Sequence, residues 1–251
     1  MSFIEGRNAV REALWAGMPL RRVLLAESTQ PDRTIDDILR LAEKAGVTVA
    51  RVGKRELDKS SERGAHQGVI AEAEPYRYAL LDTVLADARS KPHSLIIALD
   101  HVTDPGNLGA VARSAEVVGA DAVLVAKNRA AAVTPAAYKA SAGALAHIAL
   151  AQETNIARSL ARCKEAGYWV AGASEHAEQT AWEAPLEGRI VLVMGSEGEG
   201  LARLTRESCD FLVSLPQAGK VGSLNVAQAT TALAYEWLRR SASGTRGSCG
   251  R

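Results

Sequence analysis

A chain of 251 residues is long enough for one or two domains with a buried core, and 47% hydrophobic with 24% charged residues is a globular balance. A formal net charge of +1 excludes bulk electrostatics as the means of gripping a nucleic acid, so any such surface must be a local patch. No apolar run approaches the ~20 residues of a membrane span, and the start MSFIEGRNAVREAL lacks the apolar core of a signal peptide. The expectation is a cytoplasmic protein with no membrane partner. Cys163, Cys209 and Cys249 are odd in number and far apart, and the five histidines form no pair at ligand spacing. These read as reduced thiols, without a disulfide framework or a metal site.

In chain order, residues 8–15 carry a short helix pattern and residues 22–26 (RVLLA) a strand. Residues 34–45 are helical, with Ile35, Ile38, Leu39 and Ala42 on one face, and Gly46 stands where a C-cap glycine belongs. A strand at 47–52, a short charged helix and a strand at 68–73 complete a first α/β unit. Pro75 and Pro92 bracket a weak helix pattern at 80–88, and the linker is placed there. Beyond it strands are expected at 95–100, 122–126, 147–151, 168–171, 189–194 and 211–215. Helices fall at 108–118, 135–142, 156–166 and 201–208, with a closing helix at 224–240. This alternation implies a mostly parallel sheet covered on both faces. The domains are therefore residues 1–75, a linker 76–92, a second domain 93–240, and a tail 241–251 with the composition of a disordered segment. From Arg239 to Arg251 there are four arginines and no acid, so the tail is basic and the body slightly acidic.

In an open parallel sheet, ligands bind beyond the carboxyl ends of the strands. Three glycine-bearing segments sit at such ends: DPGNLGAVAR (104–113), MGSEGEGL (194–201) and LPQAGKVGSLN (215–225). In the first, Arg113 lies off the apolar stripe of Leu108, Val111, Ala112, Ala115 and Val118, and Asn107 stands where an N-cap residue is expected. The second has the order G-x-x-G-x-G, not the dinucleotide fingerprint, and sets Glu197 and Glu199 among its glycines. Carboxylates repel a phosphate, so the loop suits a nucleoside that lacks phosphates and carries a positive charge, as S-adenosylmethionine does. The third joins flexible glycines to Ser223 and Asn225 at the start of a long helix. Taken singly, each segment also reads as a cap or a tight strand-to-helix turn; it is the three together that point to a nucleotide-like pocket.

Together these segments resemble the three motifs of the SpoU (TrmH) branch of the SPOUT RNA methyltransferases. The motif N-x-G-x-x-x-R is matched by Asn107, Gly109 and Arg113, MG-x-EG-x-G by Met194–Gly200, and IP-x-x-G-x-V-x-SLNV by Leu215–Val226. Upstream, EGRNAVREAL and HQGVIAEAEP resemble the substrate-binding domain of the large-subunit rRNA guanosine-2′-O-methyltransferase type. Gln217 and Gly222 depart from the usual Met and Ser of the third motif. The resemblance implies an L30e-like first domain that helps grip RNA, a SPOUT domain with a C-terminal trefoil knot, and an antiparallel homodimer. It implies S-adenosylmethionine held around Gly195, Gly198, Leu215, Gly219 and Leu224. Arg113, Asn107, Glu197, Ser223 and Asn225 are then the catalytic set, acting on a ribose 2′-hydroxyl, with 23S rRNA or its assembly intermediate as the expected partner. Arg7, Arg21, Arg22, Arg51, Lys54, Arg55 and Arg63 are candidate phosphate contacts, in a unit whose twelve bases are balanced by twelve acids. The rival readings are a tRNA or resistance-type rRNA methyltransferase of the same branch, a non-catalytic RNA-binding assembly factor, and a nicotinamide dehydrogenase, which the glycine order disfavours.

Overall fold

The computed structural model describes residues 2–61, 64–220 and 222–244. The described residues fall into two compact units, one comprising those up to Arg77 together with Val133–Gly143, the other those from Tyr78 to Ala132 and from Ala144 onward.

The first unit is a four-stranded sheet in the order β1 (Ser2–Glu5), β4 (Val69–Ala73), β2 (Leu20–Ala26), β3 (Thr48–Val52). β4 runs antiparallel to both its neighbours, and β2 and β3 are parallel. The continuous apolar run of β2 follows from burial on both faces. Val23 and Leu25 pack against Val10 and Leu14 of α1 (Arg7–Trp15) and Ile35 and Ile38 of α2 (Arg33–Ala45). Leu24 and Ala26 face the other way, onto Leu57 of α3 (Lys54–Ser60). Gly46 closes α2 in the left-handed conformation, φ 67°, which costs glycine nothing. β1 is absent from the sequence reading, because a four-residue strand at a chain end carries too few alternations to register. Later in the chain, α6 (Pro135–Ser141) also belongs to this unit, and Lys139 Nζ lies 3.0 Å from Glu12 of α1.

The second unit is a six-stranded, wholly parallel sheet in the order β10 (Phe211–Val213), β8 (Trp169–Ala173), β9 (Arg189–Met194), β5 (Ser94–Leu99), β6 (Ala122–Ala126), β7 (Ala149–Glu153). Every residue of β5 is buried. From β5 the chain winds outward through β6 and β7, then returns on the other side of β5 through β8, β9 and β10. The direction of winding therefore reverses between β5 and β9, and a crevice opens at their carboxyl ends. The helices are α4 (Leu81–Asp87), α5 (Pro105–Val117), α7 (Ile156–Glu165), α8 (Arg203–Glu207) and α9 (Val226–Gly244).

Several boundaries differ from the sequence reading for local reasons. Residues 76–92, read above as a linker, contain α4, whose Leu81 and Val84 are buried in the core of the second unit. β7 starts two residues later than expected, because a 3₁₀ turn at Ala144–Ala146 accepts the backbone N–H groups of His147 and Ile148. α5 starts earlier than its apolar stripe. Asp104 is its N-cap and accepts from the N–H groups of Gly106 and Asn107, while Pro105, which has no N–H to satisfy, takes the first helical position. Asn107 is thus inside the helix and is not its cap. α9 continues to Gly244, four residues into the segment read as a disordered tail; the rest of that tail, 245–251, lies outside the described residues.

α9 is fastened by a buried carboxylate. Glu236 is 6% exposed and accepts from Arg239 and Arg240, and Arg240 also donates to the carbonyl of Trp182. The hydrogen bonds from Arg239 and Arg240 hold the Glu236 carboxyl at about 2, against an ordinary value of 4.5. The folded value lies below the unfolded one, so this contribution is complete above pH ~4.5 and is lost as the pH falls through about 2. Glu236→Gln is expected to cost about 1–2 kcal/mol at pH 7. In thermal melts the gap from the parent should be widest at pH 7 and shrink as the pH is lowered from 4.5 toward 2.

Candidate active site

The loops leaving β5, β9 and β10 meet at the crevice between β5 and β9. The loop after β9 is drawn tight upon itself: Ser196 N donates to Gly200 O at 3.1 Å, and Gly200 N donates to Ser196 O at 3.0 Å. Glycine is required at Gly195, where an added Cβ would lie 2.2 Å from the carbonyl carbon of Gly200. Gly198 and Gly200 adopt φ of 94° and 67°, so backbone sterics select glycine at both.

This loop presents Glu197 to the other two. Glu197 Oε1 accepts from Asn107 Nδ2 at 3.0 Å and from Asn225 Nδ2 at 2.6 Å, and Asn225 Nδ2 also reaches Asn107 Oδ1 at 3.0 Å. Asn225 Oδ1 accepts from the N–H of Ala227 at 2.9 Å, so Asn225 rather than Ser223 caps the first turn of α9. One carboxylate and two amides thereby join three segments separated by as many as 118 residues. Ser114 Oγ, two helical turns beyond Asn107, meets Thr231 of α9 at 2.6 Å and extends the link between α5 and α9.

Beside this node lies a cavity of about 290 Å³, near the lower end of the range for small-molecule sites. Gly195, Gly198, Leu215, Ser223 and Leu224 line it; Gly219 does not. Glu197 and Glu199 also line it beside the glycines of the loop, so the wall is acidic on balance, a setting that fits an uncharged nucleoside joined to a cation. Arg113 is placed differently. It is exposed on α5, away from the buried face of Leu108, Val111, Ala112 and Ala115. Among the described residues it has no hydrogen bond or ion pair, and it takes no part in the node. Burial pushes the Cys209 thiol up to about 11 and the Cys163 thiol up to about 12, which favours the protonated thiol in both near neutral pH.

Two lining features lie outside the sequence reading. Arg206 of α8 borders the cavity, and so do Glu175 and His176, which follow β8. The strand-end rule points to the second group, since residues 174–176 leave the carboxyl end of a strand adjoining the crevice. Nothing in the local sequence marks Arg206.

The candidate RNA contacts of the first unit divide into two groups. Arg7 pairs with Asp32 and donates through Nε to the carbonyl of Gln67 at 3.2 Å, and Arg22 donates to Glu72 at 2.7 Å. Those two side chains hold their own unit together. Arg21, Arg51, Lys54 and Arg55 are exposed and carry no ion pair among the described residues. Arg63 lies outside those residues.

Comparisons with known proteins agree with this arrangement in both units. Residues 94–235 match the model of the SpoU rRNA Methylase family, and residues 3–79 match a model described as RNA 2′-O ribose methyltransferase substrate binding. The chain is 42% identical over 242 residues to the 23S rRNA (guanosine-2′-O-)-methyltransferase RlmB of Pseudomonas putida, covering 94% of this chain and 96% of that one. It is 40% identical to the putative TrmH family tRNA/rRNA methyltransferase YacO of Bacillus subtilis, covering 95% of each chain. Among solved structures, it resembles the SpoU methyltransferase AviRb from Streptomyces viridochromogenes in complex with AdoMet. That similarity has a TM-score of 0.63 and 27% identity, and covers 99% of this chain and 91% of that one.

The tight loop gives a direct test of the cavity. Gly195→Ala forces a Cβ into the backbone of Gly200, and binding of S-adenosylmethionine in calorimetry is expected to weaken at least about tenfold. The far-UV spectrum should be unchanged. Parent-like affinity in a folded variant would mean that the ligand sits elsewhere.

Proposed function

The chain belongs to the SpoU rRNA methylase family, and on that premise we propose that it methylates the ribose 2′-hydroxyl of a guanosine in 23S rRNA, using S-adenosylmethionine. The observation that carries the chemistry is the joining of Asn107, Glu197 and Asn225 beside an acidic, glycine-lined cavity that Glu197 borders. The substrate assignment rests on similarity to RlmB along nearly the whole of both chains, together with the match of residues 3–79 to a substrate-binding model.

Bound S-adenosylmethionine supplies a methyl group already activated by its sulfonium. The protein's share is to align a poor nucleophile with that methyl group and to stabilise the charge that develops as the hydroxyl proton leaves. Backbone groups around Gly195, Leu215 and Leu224 hold the nucleoside, and Glu197 and Glu199 favour the positive charge beside it. Asn107, Ser223 and Asn225 orient the ribose. Arg113 contacts the 2′-oxygen or the neighbouring phosphate. A guanidinium with a pKa above 12 is a poor base but a strong hydrogen-bond donor to a developing oxyanion. Arg21, Arg51, Lys54 and Arg55 supply phosphate contacts from the first unit.

Val117, one turn beyond Arg113 on α5, and Tyr235 on α9 leave apolar surface exposed, at 57% and 48%. We assign it to the homodimer, in which a second copy covers the apolar side chains and the two chains share the site. We place the protein in the cytoplasm, with the ribosomal substrate named for its RlmB relatives. Among the described residues, no helix is long and apolar enough to cross a membrane.

The test is incubation with radiolabelled S-adenosylmethionine and, separately, unmodified large-subunit rRNA, small-subunit rRNA and tRNA, followed by digestion to nucleosides. Label in 2′-O-methylguanosine from large-subunit rRNA is expected; label confined to tRNA would overturn the substrate. In the same assay Arg113→Ala should lower kcat by about 10²–10³ while the Kd for S-adenosylmethionine stays within about threefold. Retained turnover would remove Arg113 from the mechanism.

A further inference from the structure

The end of β5 holds a buried carboxylate that the chemistry described above does not use. Asp100 is 1% exposed. Its backbone N–H donates to Met194 O at 2.8 Å, where the glycine loop begins, and its Oδ2 accepts from Ala202 N at 2.8 Å, where that loop ends. A single residue therefore holds both feet of the segment that carries Glu197. Its other oxygen, Oδ1, lies 2.7 Å from Nδ1 of the next residue, His101. His101 adopts φ 59°, a left-handed conformation unfavourable for a residue with a Cβ. In that conformation its imidazole reaches back over the Asp100 carboxylate, and no other side chain among the described residues hydrogen-bonds that group. Four residues after Asp100, Asp104 caps the helix that carries Asn107.

We propose that Asp100 and His101 are a positioning pair for methyl transfer. Asp100 fixes the glycine loop against the end of β5, and His101 fixes the rotamer of Asp100. The placement of Glu197 against Asn107 and Asn225 follows from the two together. The physical basis is that a buried carboxylate must have its oxygens satisfied, and that a strained backbone conformation persists only where its surroundings enforce it. Neither residue lines the cavity, so both act through the loop. This inference rests on the methyltransferase reading, and its test includes a measurement that needs no turnover.

The test compares Asp100→Asn, His101→Gly and His101→Asn with the parent protein. In Asp100→Asn the charge is lost, so the amide oxygen accepts more weakly from Ala202 N–H, and the imidazole can meet the new amide N–H only by switching to its Nε2–H tautomer. His101→Gly relieves the backbone but leaves the carboxylate uncovered. His101→Asn tolerates the left-handed backbone and still donates to Asp100. Expected is a kcat reduced about tenfold or more in Asp100→Asn and in His101→Gly, with the KM for RNA changed less than about threefold, and near-parent kcat in His101→Asn. Amide exchange at Ala202 should speed up in the first two variants and not in the third, whether or not an RNA substrate turns over. His101→Gly should keep the far-UV spectrum of the parent, which separates loss of positioning from loss of the fold. A parent-like kcat in His101→Gly, or unchanged Ala202 exchange in a folded Asp100→Asn, would overturn the proposal. If the parent itself lacks turnover while the exchange pattern holds, it is the methyltransferase reading that fails and not the clamp.

Discussion

The site depends on one carboxylate accepting from two amides. Glu197 is carried on a loop closed upon itself, Asn107 sits in the first turn of α5, and Asn225 caps α9, which packs on α5. Each partner alone is exposed or half-exposed, where one hydrogen bond contributes modestly because water competes for both groups. What the node supplies is registration. Three segments far apart in sequence have no covalent reason to meet within 3.0 Å, and the parallel sheet brings them only to the same end. The hydrogen bonds complete the alignment that the strands begin. A methyl transfer that relies on orientation more than on acid–base strength is sensitive to that kind of alignment.

The glycines contribute through space and conformation, not through chemistry of their own. Gly195 permits the backbone of residues 195–200 to fold back to van der Waals contact, and Gly198 and Gly200 supply the positive φ values that turn it. The result is a wall that combines Gly195, Gly198 and Gly200 with the carboxylates of Glu175, Glu197 and Glu199. That wall is unsuited to phosphate and suited to a neutral nucleoside bearing a cation. The same electrostatic logic separates the two units. The cavity is acidic, whereas the unpaired cations of the first unit face solvent and are free to meet an RNA backbone.

Much of this was legible in the sequence. Strands β6 and β9 occupy the residues expected of them, because an apolar run buried on both faces is short, sharply bounded and hard to mistake. The strand-end rule located all three loops. What stayed hidden were facts of distance. No spacing rule reveals that Glu197 would bond both asparagines, that Asp100 would reach Ala202, or that Arg206 would border the cavity. Capping was misplaced for a clear reason. Asn107 and Ser223 are good capping residue types, but Pro105 and Asn225 set where their helices begin. Arg7 and Arg22 illustrate the limit of reading charge: a basic residue looks available until the fold sets Asp32 or Glu72 against it.

The measurement that bears most directly on the node is a double-mutant cycle on Asn107→Ala and Asn225→Ala, read as single-turnover methyl transfer at saturating S-adenosylmethionine. If Glu197 is held by the two amides as one unit, either substitution releases it. The double variant should then be slowed little more than the worse single variant. Losses that simply multiply would mean that the two asparagines act independently, and that the convergence of the three loops on Glu197 does not set the rate.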